Sequence, residues 1–203
     1  MSIVDRVKGI LFKPSEEWEI IANEPATVAS LFTGYAAILA LIPAIIGVLA
    51  ALLLGSLIAN YAGGGIGALS TSALIMQQVL GYFLGLALVL GMGFLVSAIS
   101  PGFNGKQDLV QSTKLIVYAG TATWVSALFL IIPVLGILLY LAGLAYSVYL
   151  IYLGVRPLLG VPQEKVMGMT VVIVLAYIVA AIVMYLVLQG LGGAGGMGTM
   201  PGA

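Results

Sequence analysis

The chain contains no cysteine and no histidine, and only 7% of its 203 residues are charged. Without cysteine there is no disulfide, no thiolate nucleophile and no thiolate metal ligand, and without histidine there is no imidazole base or ligand. The seven basic and seven acidic residues cancel, and so few cations cannot follow a phosphate backbone. We therefore exclude nucleic-acid binding and expect neither a metal ion nor a cofactor.

Groups that could carry catalysis are also missing from the apolar parts of the chain. Asp108 stands alone there, so no pair of carboxylates is available for acid-base chemistry. The phosphate-binding pattern GxxxxGK[ST] does not occur. We predict no catalytic residue and expect that the chain is not an enzyme.

Apolar sequence, in contrast, is abundant. Hydrophobic residues make up 62% of the chain, and the mean hydropathy is +1.22. A bilayer core of ~30 Å takes about 20 helical residues, and five apolar stretches reach that length. We predict an all-α integral membrane protein, a bundle of five transmembrane helices, in a domain over residues 31–189, with approximate spans 31–59, 74–98, 110–130, 134–153 and 167–189.

The basic residues predict how this bundle is oriented. The segment before the first span holds three of them, the four connections hold none, two, none and two, and the tail holds none. Cytoplasmic connections of membrane proteins are enriched in Lys and Arg. The N-terminus is therefore predicted to be cytoplasmic and the C-terminus to lie outside.

Residues 1–30 are predicted to be a cytoplasmic segment that begins with an amphipathic helix. Ile3, Val7 and Ile10 recur at helical spacing, with Arg6 on the other arc. Such a pattern is typical of a helix that lies in the plane of the membrane surface. This surface helix either simply leads into the first span or forms a docking surface for a partner.

A second short helix is predicted after Pro14, which ends the first one. Trp18 in that helix is expected at the level of the lipid headgroups, where tryptophan is enriched. Trp18, together with Asp108 and Arg156 near the inner connections, is a candidate for contact with a cytoplasmic protein. The bilayer and a further copy of the chain are the other partners that we consider.

The glycine-rich tail and several Pro and Gly positions predict local features of the backbone. Residues 190–203 are low in complexity and are predicted to be a disordered extracytoplasmic tail. Pro43 and Pro133 are expected to kink their helices, because proline removes a backbone hydrogen bond. The pair Gly81 and Gly85 has the spacing of small residues that let membrane helices pack closely.

One polar stripe marks the third span. Lys114, Tyr118 and Thr121 fall at i, i+4 and i+7, which places them on one face of a helix. Polar side chains are expensive in hydrocarbon and often mark a pathway or a site. The stripe either lines a substrate path, or serves as interhelical hydrogen bonds with the stem of the lysine reaching toward the cytoplasm.

The chain resembles the Yip family, the Ypt/Rab-interacting membrane proteins, in its prokaryotic branch. The resemblance covers residues 9–189 and is carried by loose patterns of Gly, Pro and Tyr in ILFKPSEEWEIIANEP, FNGKQDLVQSTKLIVYAGTATW, IIPVLGILLYLAGLAYSVYLIYLG and VRPLLGVPQEKVMGMTVVIV. It implies five spans with a cytoplasmic N-terminus. Eukaryotic relatives associate with prenylated Rab GTPases, but their acidic-aromatic motif is absent here, so that partner is not carried over. The implied location is the plasma (inner) membrane of a bacterium or an archaeon.

These observations lead to two hypotheses about function. The first is a membrane-organising or partner-recruiting scaffold that acts through its N-terminal segment and inner connections. The alternative is a small transporter, channel or lipid-translocating bundle that uses the two proline positions and the polar stripe. Because five spans are few for alternating access within one chain, the alternative requires a homodimer.

Overall fold

The computed structural model describes residues 2–61, 71–132 and 134–194. These residues form helices joined by short connections, with no strand among them. Five helical segments are long and apolar enough to cross a membrane, which confirms the predicted fold class and number of spans. In order they are Val28–Ala50, Ile75–Phe103, Leu109–Ile131, Leu135–Leu159 and Gln163–Leu188, called spans one to five below.

Two short helices precede the first span. Helix α1 covers Ile3–Phe12 and is capped by Ser2, whose hydroxyl accepts a hydrogen bond from the backbone N–H of Asp5. Helix α2 covers Pro14–Asn23. Its proline occupies the first helical turn, where a missing N–H leaves no bond unmade. The two helices pack against each other, and α2 also packs against span four.

Span one is irregular before its proline and regular after it. Helix α3 (Val28–Leu31) passes into a π-helical turn (Phe32–Ala36) and then into α4 (Ala37–Tyr61). Pro43 lies inside α4, which is helical on both sides of it. A bend at this proline stays a prediction. The π-helical turn that interrupts the α-helical pattern lies about two to three turns earlier.

Span three is built from three pieces. Helix α5 (Thr71–Ile99) precedes it, and α6 (Leu109–Ala119) forms its first half. A turn at Gly120 separates α6 from α7 (Thr121–Ser126), and a final 3₁₀ turn follows. Hydrogen bonds from Gly120 to Ile116 and from Trp124 to Gly120 pass through this turn, so Leu109–Ile131 forms the one span that the sequence predicts here.

Spans four and five are long single helices. Helix α8 covers Leu135–Leu159 and α9 covers Gln163–Ala194. Because α9 extends to Ala194, the first residues of the predicted disordered tail are helical, while 195–203 lie outside the described residues. The predicted kink at Pro133 also falls outside them.

Helix α6 is the centre of the bundle. Every residue from Ser112 to Ala119 is buried, and the helix contacts α3, α5 and α8. A helix that is covered on all sides belongs to the interior of a protein. Helix α6 therefore lies between the other elements of the bundle, and each of its faces has different neighbours.

The small residues of the spans have two different environments. A Cβ added at Gly143 would lie 2.5 Å from the Cβ of Ser126 and 2.9 Å from the carbonyl oxygen of Ala122, so spans three and four approach closely there. A Cβ added at Gly81 or Gly85 would meet nothing within 4 Å. The prediction that Gly81 and Gly85 support close contact between helices is wrong.

The close approach at Gly143 can be tested by adding a methyl group. Gly143→Ala is expected to lower the free energy of unfolding by about 1–3 kcal/mol, because the methyl meets backbone and a short side chain that cannot move aside. The matched change Gly91→Ala adds a methyl where nothing lies within 4 Å. It should stabilise the helix by up to ~1 kcal/mol. Thermal unfolding in detergent measures both, and equal effects would contradict the packing.

Candidate functional site

A buried cation joins the N-terminal helices to each other. Arg6 on α1 is only 5% exposed, and its guanidinium donates hydrogen bonds to the carboxylates of Glu17 and Glu24. Glu17 is equally buried, whereas the side chain of Glu24 is 38% exposed. The guanidinium also lies over the ring of Tyr118, at 5.5 Å from its centroid. This arrangement folds α1 back along α2 and against span three.

The surroundings of Arg6 keep it charged. Burial by itself would lower the pKa of the guanidinium, but the hydrogen bond and charge of Glu24 and the charge of Glu17 act in the opposite direction. The pKa of Arg6 is raised as a result. The group is therefore a permanent cation, and it needs its carboxylate partners wherever it is shielded from water.

Span three holds the carboxyl end of α2. The ammonium group of Lys114 donates to the carbonyl oxygens of Ile21 (2.7 Å) and Glu24 (2.6 Å). The side-chain amide of Gln111 donates to the carbonyl oxygen of Ala22 (3.1 Å). The last carbonyls of a helix lack partners within the helix, and its negative end favours a cation. The two side chains thus cap α2 from the neighbouring span.

Trp18 anchors the middle of α2 inside the protein. Its side chain is 0% exposed and packs next to Leu115 and Gly154. A Cβ at Gly154 would lie 2.9 Å from the indole ring, so only glycine leaves room for it. The prediction that Trp18 is available for partner contact is wrong, because its side chain is fully buried, whereas its position at headgroup level stays a prediction. Its surroundings are apolar core, and its bulk is what fixes α2 to spans three and four.

The predicted polar stripe of span three is a set of interhelical contacts. Lys114, Tyr118 and Thr121 are all buried, at 2%, 8% and 0% exposure. Thr121 shares a hydrogen bond of 2.8 Å with the hydroxyl of Tyr35 in span one. The rings of Tyr35 and Tyr118 meet edge to face, with centroids 4.8 Å apart. The stripe therefore faces the N-terminal segment and span one.

The other two predicted contact residues differ in their surroundings. Asp108 is half-buried and caps α6, because its carboxylate accepts a hydrogen bond from the backbone N–H of Gln111 (3.0 Å). Arg156 is exposed in the last turn of α8. A role in partner contact stays a prediction for both.

A separate cavity lies on the opposite side of span three. It has a volume of about 720 Å³ and is bordered by residues of all five spans, among them Pro43, Gly85 and Gly120. None of the three stripe residues borders it. The bundle therefore carries two distinct features, namely a polar junction around Arg6 and Lys114 and a largely apolar cavity.

No metal site accompanies these features in the part of the chain that is described. Among residues 2–61, 71–132 and 134–194, no three His, Cys, Asp or Glu side chains are grouped so that they could hold an ion. The carboxylates of Glu17 and Glu24 already accept hydrogen bonds from Arg6.

The partners of the polar junction were not predicted from the sequence. Arg6 was expected on the polar arc of α1, although Arg6 and the fully buried Ile10 lie four residues apart and share a face. Glu17 and Glu24 are seven residues apart, which also puts them on one face of a helix. This spacing was the signal available in the sequence, because two acids on the same face can both pair with one arginine that faces them.

Comparisons with known proteins give a consistent result. The family model described as the Yip1 domain matches residues 8–199. The chain is similar to the inner membrane protein YohC of Escherichia coli strain K12, with 26% identity over 164 residues, or 80% of this chain and 83% of that protein. YohC of the O6:H1 strain matches to the same extent. No solved structure matches the chain.

The capping of α2 by span three can be tested at Lys114. Lys114→Met keeps the length of the side chain but leaves two buried carbonyl oxygens without a donor. We expect the free energy of unfolding to fall by at least ~2 kcal/mol and a Glu-specific protease to cleave the N-terminal segment faster. The matched variant Lys106→Met changes an exposed lysine and should stay within ~0.5 kcal/mol of the parent. Equal melting and cleavage of the two variants would contradict the capping role.

Proposed function

The chain belongs to the Yip1-domain family of integral membrane proteins, and from this premise we propose that it is a non-enzymatic scaffold that recruits a protein partner to the inner membrane. The observation that carries the proposal is the junction around Arg6. The hydrogen bonds of this junction fix the N-terminal segment to the bundle. A surface that is already rigid loses little conformational freedom when a partner binds.

The positions of all fourteen charged residues favour one end of the bundle as the docking face. The seven basic and seven acidic residues lie in residues 5–24, in 106–114 or in 156–165. Five spans place these three segments at the same end, and the opposite end carries no charge. Charged and polar groups supply specificity and orientation in protein recognition. A partner that binds outside the bilayer would therefore bind at the charged end.

The outer face of the N-terminal helices offers the groups that such a partner needs. Lys8, Glu16 and Glu19 are exposed there, while the inward residues are buried. Phe12 is 79% exposed at the turn between α1 and α2. An apolar anchor bordered by charges of both signs resembles the core and rim of a protein interface.

The same charges support a cytoplasmic location for this face. Basic residues are enriched in cytoplasmic connections, and the matched relatives carry the name inner membrane protein. A cysteine introduced at Lys106 should then react with a membrane-impermeant maleimide only after the cells are opened. The parent chain has no cysteine, so no background reaction competes.

The alternative of a small transporter, channel or lipid-translocating bundle relied on Pro43 and Pro133 as well as on the polar stripe of span three. Lys114, Tyr118 and Thr121 contact the N-terminal segment and span one, and they do not border the cavity. Pro43 borders the cavity, but a transport path through it would need polar residues other than the stripe. The scaffold is therefore the function that we carry forward.

Site-specific cross-linking in living cells tests the proposal. A photoreactive residue at Lys8, Glu16 or Glu19 should yield a discrete adduct with a protein of different mass. The same residue at Val179, which is 61% exposed on span five, should react with lipid alone. Glu16→Lys combined with Glu19→Lys should remove the adduct formed from position 8 without changing the melting temperature.

Three results would contradict the scaffold. They are the absence of any protein adduct from the three N-terminal positions, equal adducts from all positions, and an adduct that survives the charge reversal. An adduct of twice the mass of the chain from Val179 would instead show that span five joins two copies of the protein.

A further inference from the structure

The cavity on the far side of span three is too large to be a packing defect. Its volume of about 720 Å³ falls within the range of ligand pockets, ~300–1,000 Å³. Protein interiors otherwise leave few voids larger than a water molecule. Along α8 it extends from Tyr140 to Ile151, or ~16 Å at 1.5 Å per residue. This length is about half of a ~30 Å bilayer core, the thickness of one leaflet.

Glycine residues, which have no side chain, keep the cavity open. Gly81 and Gly85 of α5 border it, and a Cβ added at either position would meet nothing within 4 Å. Glycine inside a helix is destabilising by roughly 0.5–1 kcal/mol relative to alanine. Since no close helix contact accounts for these two glycines, the space that they leave is their structural effect.

The chemistry of the walls favours hydrocarbon over water. The backbone N–H and the hydroxyl of Thr123 both bond to the hydroxyl of Ser147, and the hydroxyl of Tyr82 donates to the carbonyl oxygen of Ala37. Gln78, Tyr140 and Tyr177 also border the cavity, and the other lining residues are aliphatic, glycine or Trp124. Apolar cavities with few free polar groups stay dry, and an empty cavity forfeits the contacts of its lining atoms.

The cavity is open toward the surrounding bilayer. Leu144 and Val148 of span four and Ile178 of span five border it, and their side chains are 40%, 39% and 50% exposed. In a membrane the exposed faces of these helices contact lipid tails. A hydrocarbon chain can therefore enter sideways without crossing the polar ends of the bundle.

We propose that this cavity binds one hydrocarbon chain of a membrane lipid, which enters beside spans four and five and lies along span three at Gly120. Ala119 and Gly120 border the cavity there, and the backbone N–H and carbonyl groups of Gly120 are already bonded within the span, to Ile116 and Trp124. This part of the wall therefore presents small apolar groups and no free backbone group to the chain. The site is independent of the proposed docking face, because none of the polar-junction residues borders it.

Tryptophan fluorescence provides a direct test. Trp124 borders the cavity, whereas the only other tryptophan, Trp18, is fully buried and does not border it. The intact protein is reconstituted into phosphatidylcholine vesicles whose acyl chains carry bromine, a contact quencher. Gly85→Leu and, separately, Gly81→Leu place a side chain in the open space. Gly91→Leu adds the same side chain to the exposed face of the same helix and serves as the control.

We expect brominated lipid to quench the parent protein and the Gly91→Leu variant equally, and most of this quenching to be lost in Gly85→Leu and Gly81→Leu. Quenching that is unchanged in both cavity variants would overturn the proposal. Quenching by aqueous acrylamide in place of brominated lipid would also overturn it, because the cavity would then be filled with water.

Melting temperature in lipid-free detergent separates occupancy from misfolding. A cavity variant that fills the space should melt at or above the parent temperature, and added lipid should raise its melting temperature less than that of the parent. If added lipid shifts the parent and both cavity variants equally, the cavity holds no lipid chain and the proposal fails.

Discussion

A guanidinium group buried in a bundle of membrane helices constrains the whole N-terminal half of this structure. Arg6 is 5% exposed and lies over the ring of Tyr118 in span three, where an unpaired charge would be strongly unfavourable. Of its partners, Glu17 lies in α2 and Glu24 is the residue that ends it, so α1 must fold back on α2. Once α2 is placed, its open carbonyls lie within reach of Lys114, and the first span follows directly from its end.

Helix α6 connects this junction to the rest of the bundle. It is buried on every side, with the N-terminal helices and span one on one face and the intramembrane cavity on the other. Polar side chains on the first face are satisfied by hydrogen bonds to other elements, whereas Ile116 and Ala119 on the second face border the open space of the cavity. One helix thus separates a rigid polar region from an apolar one, and the two proposals concern opposite sides of it.

The sequence predicted the fold class well and the junction poorly, for physical reasons. A transmembrane span can be predicted from the composition of about 20 consecutive residues, so one local stretch of sequence is enough. The bond from Lys114 to the carbonyl of Ile21 joins residues 93 positions apart, and no local pattern encodes it. Trp18 was misplaced because tryptophan suits both an interface and a core. Gly81 and Gly85 were misread because the same spacing occurs where helices touch and where they leave room.

The N-terminal helices are part of the bundle in this structure, and amide hydrogen exchange of the protein in lipid nanodiscs measures this directly. Peptides covering residues 14–24 should exchange as slowly as those of α6, because their backbone bonds open only with the junction. Exchange of these peptides at the rate of an exposed surface helix would contradict the account and return the segment to the membrane surface.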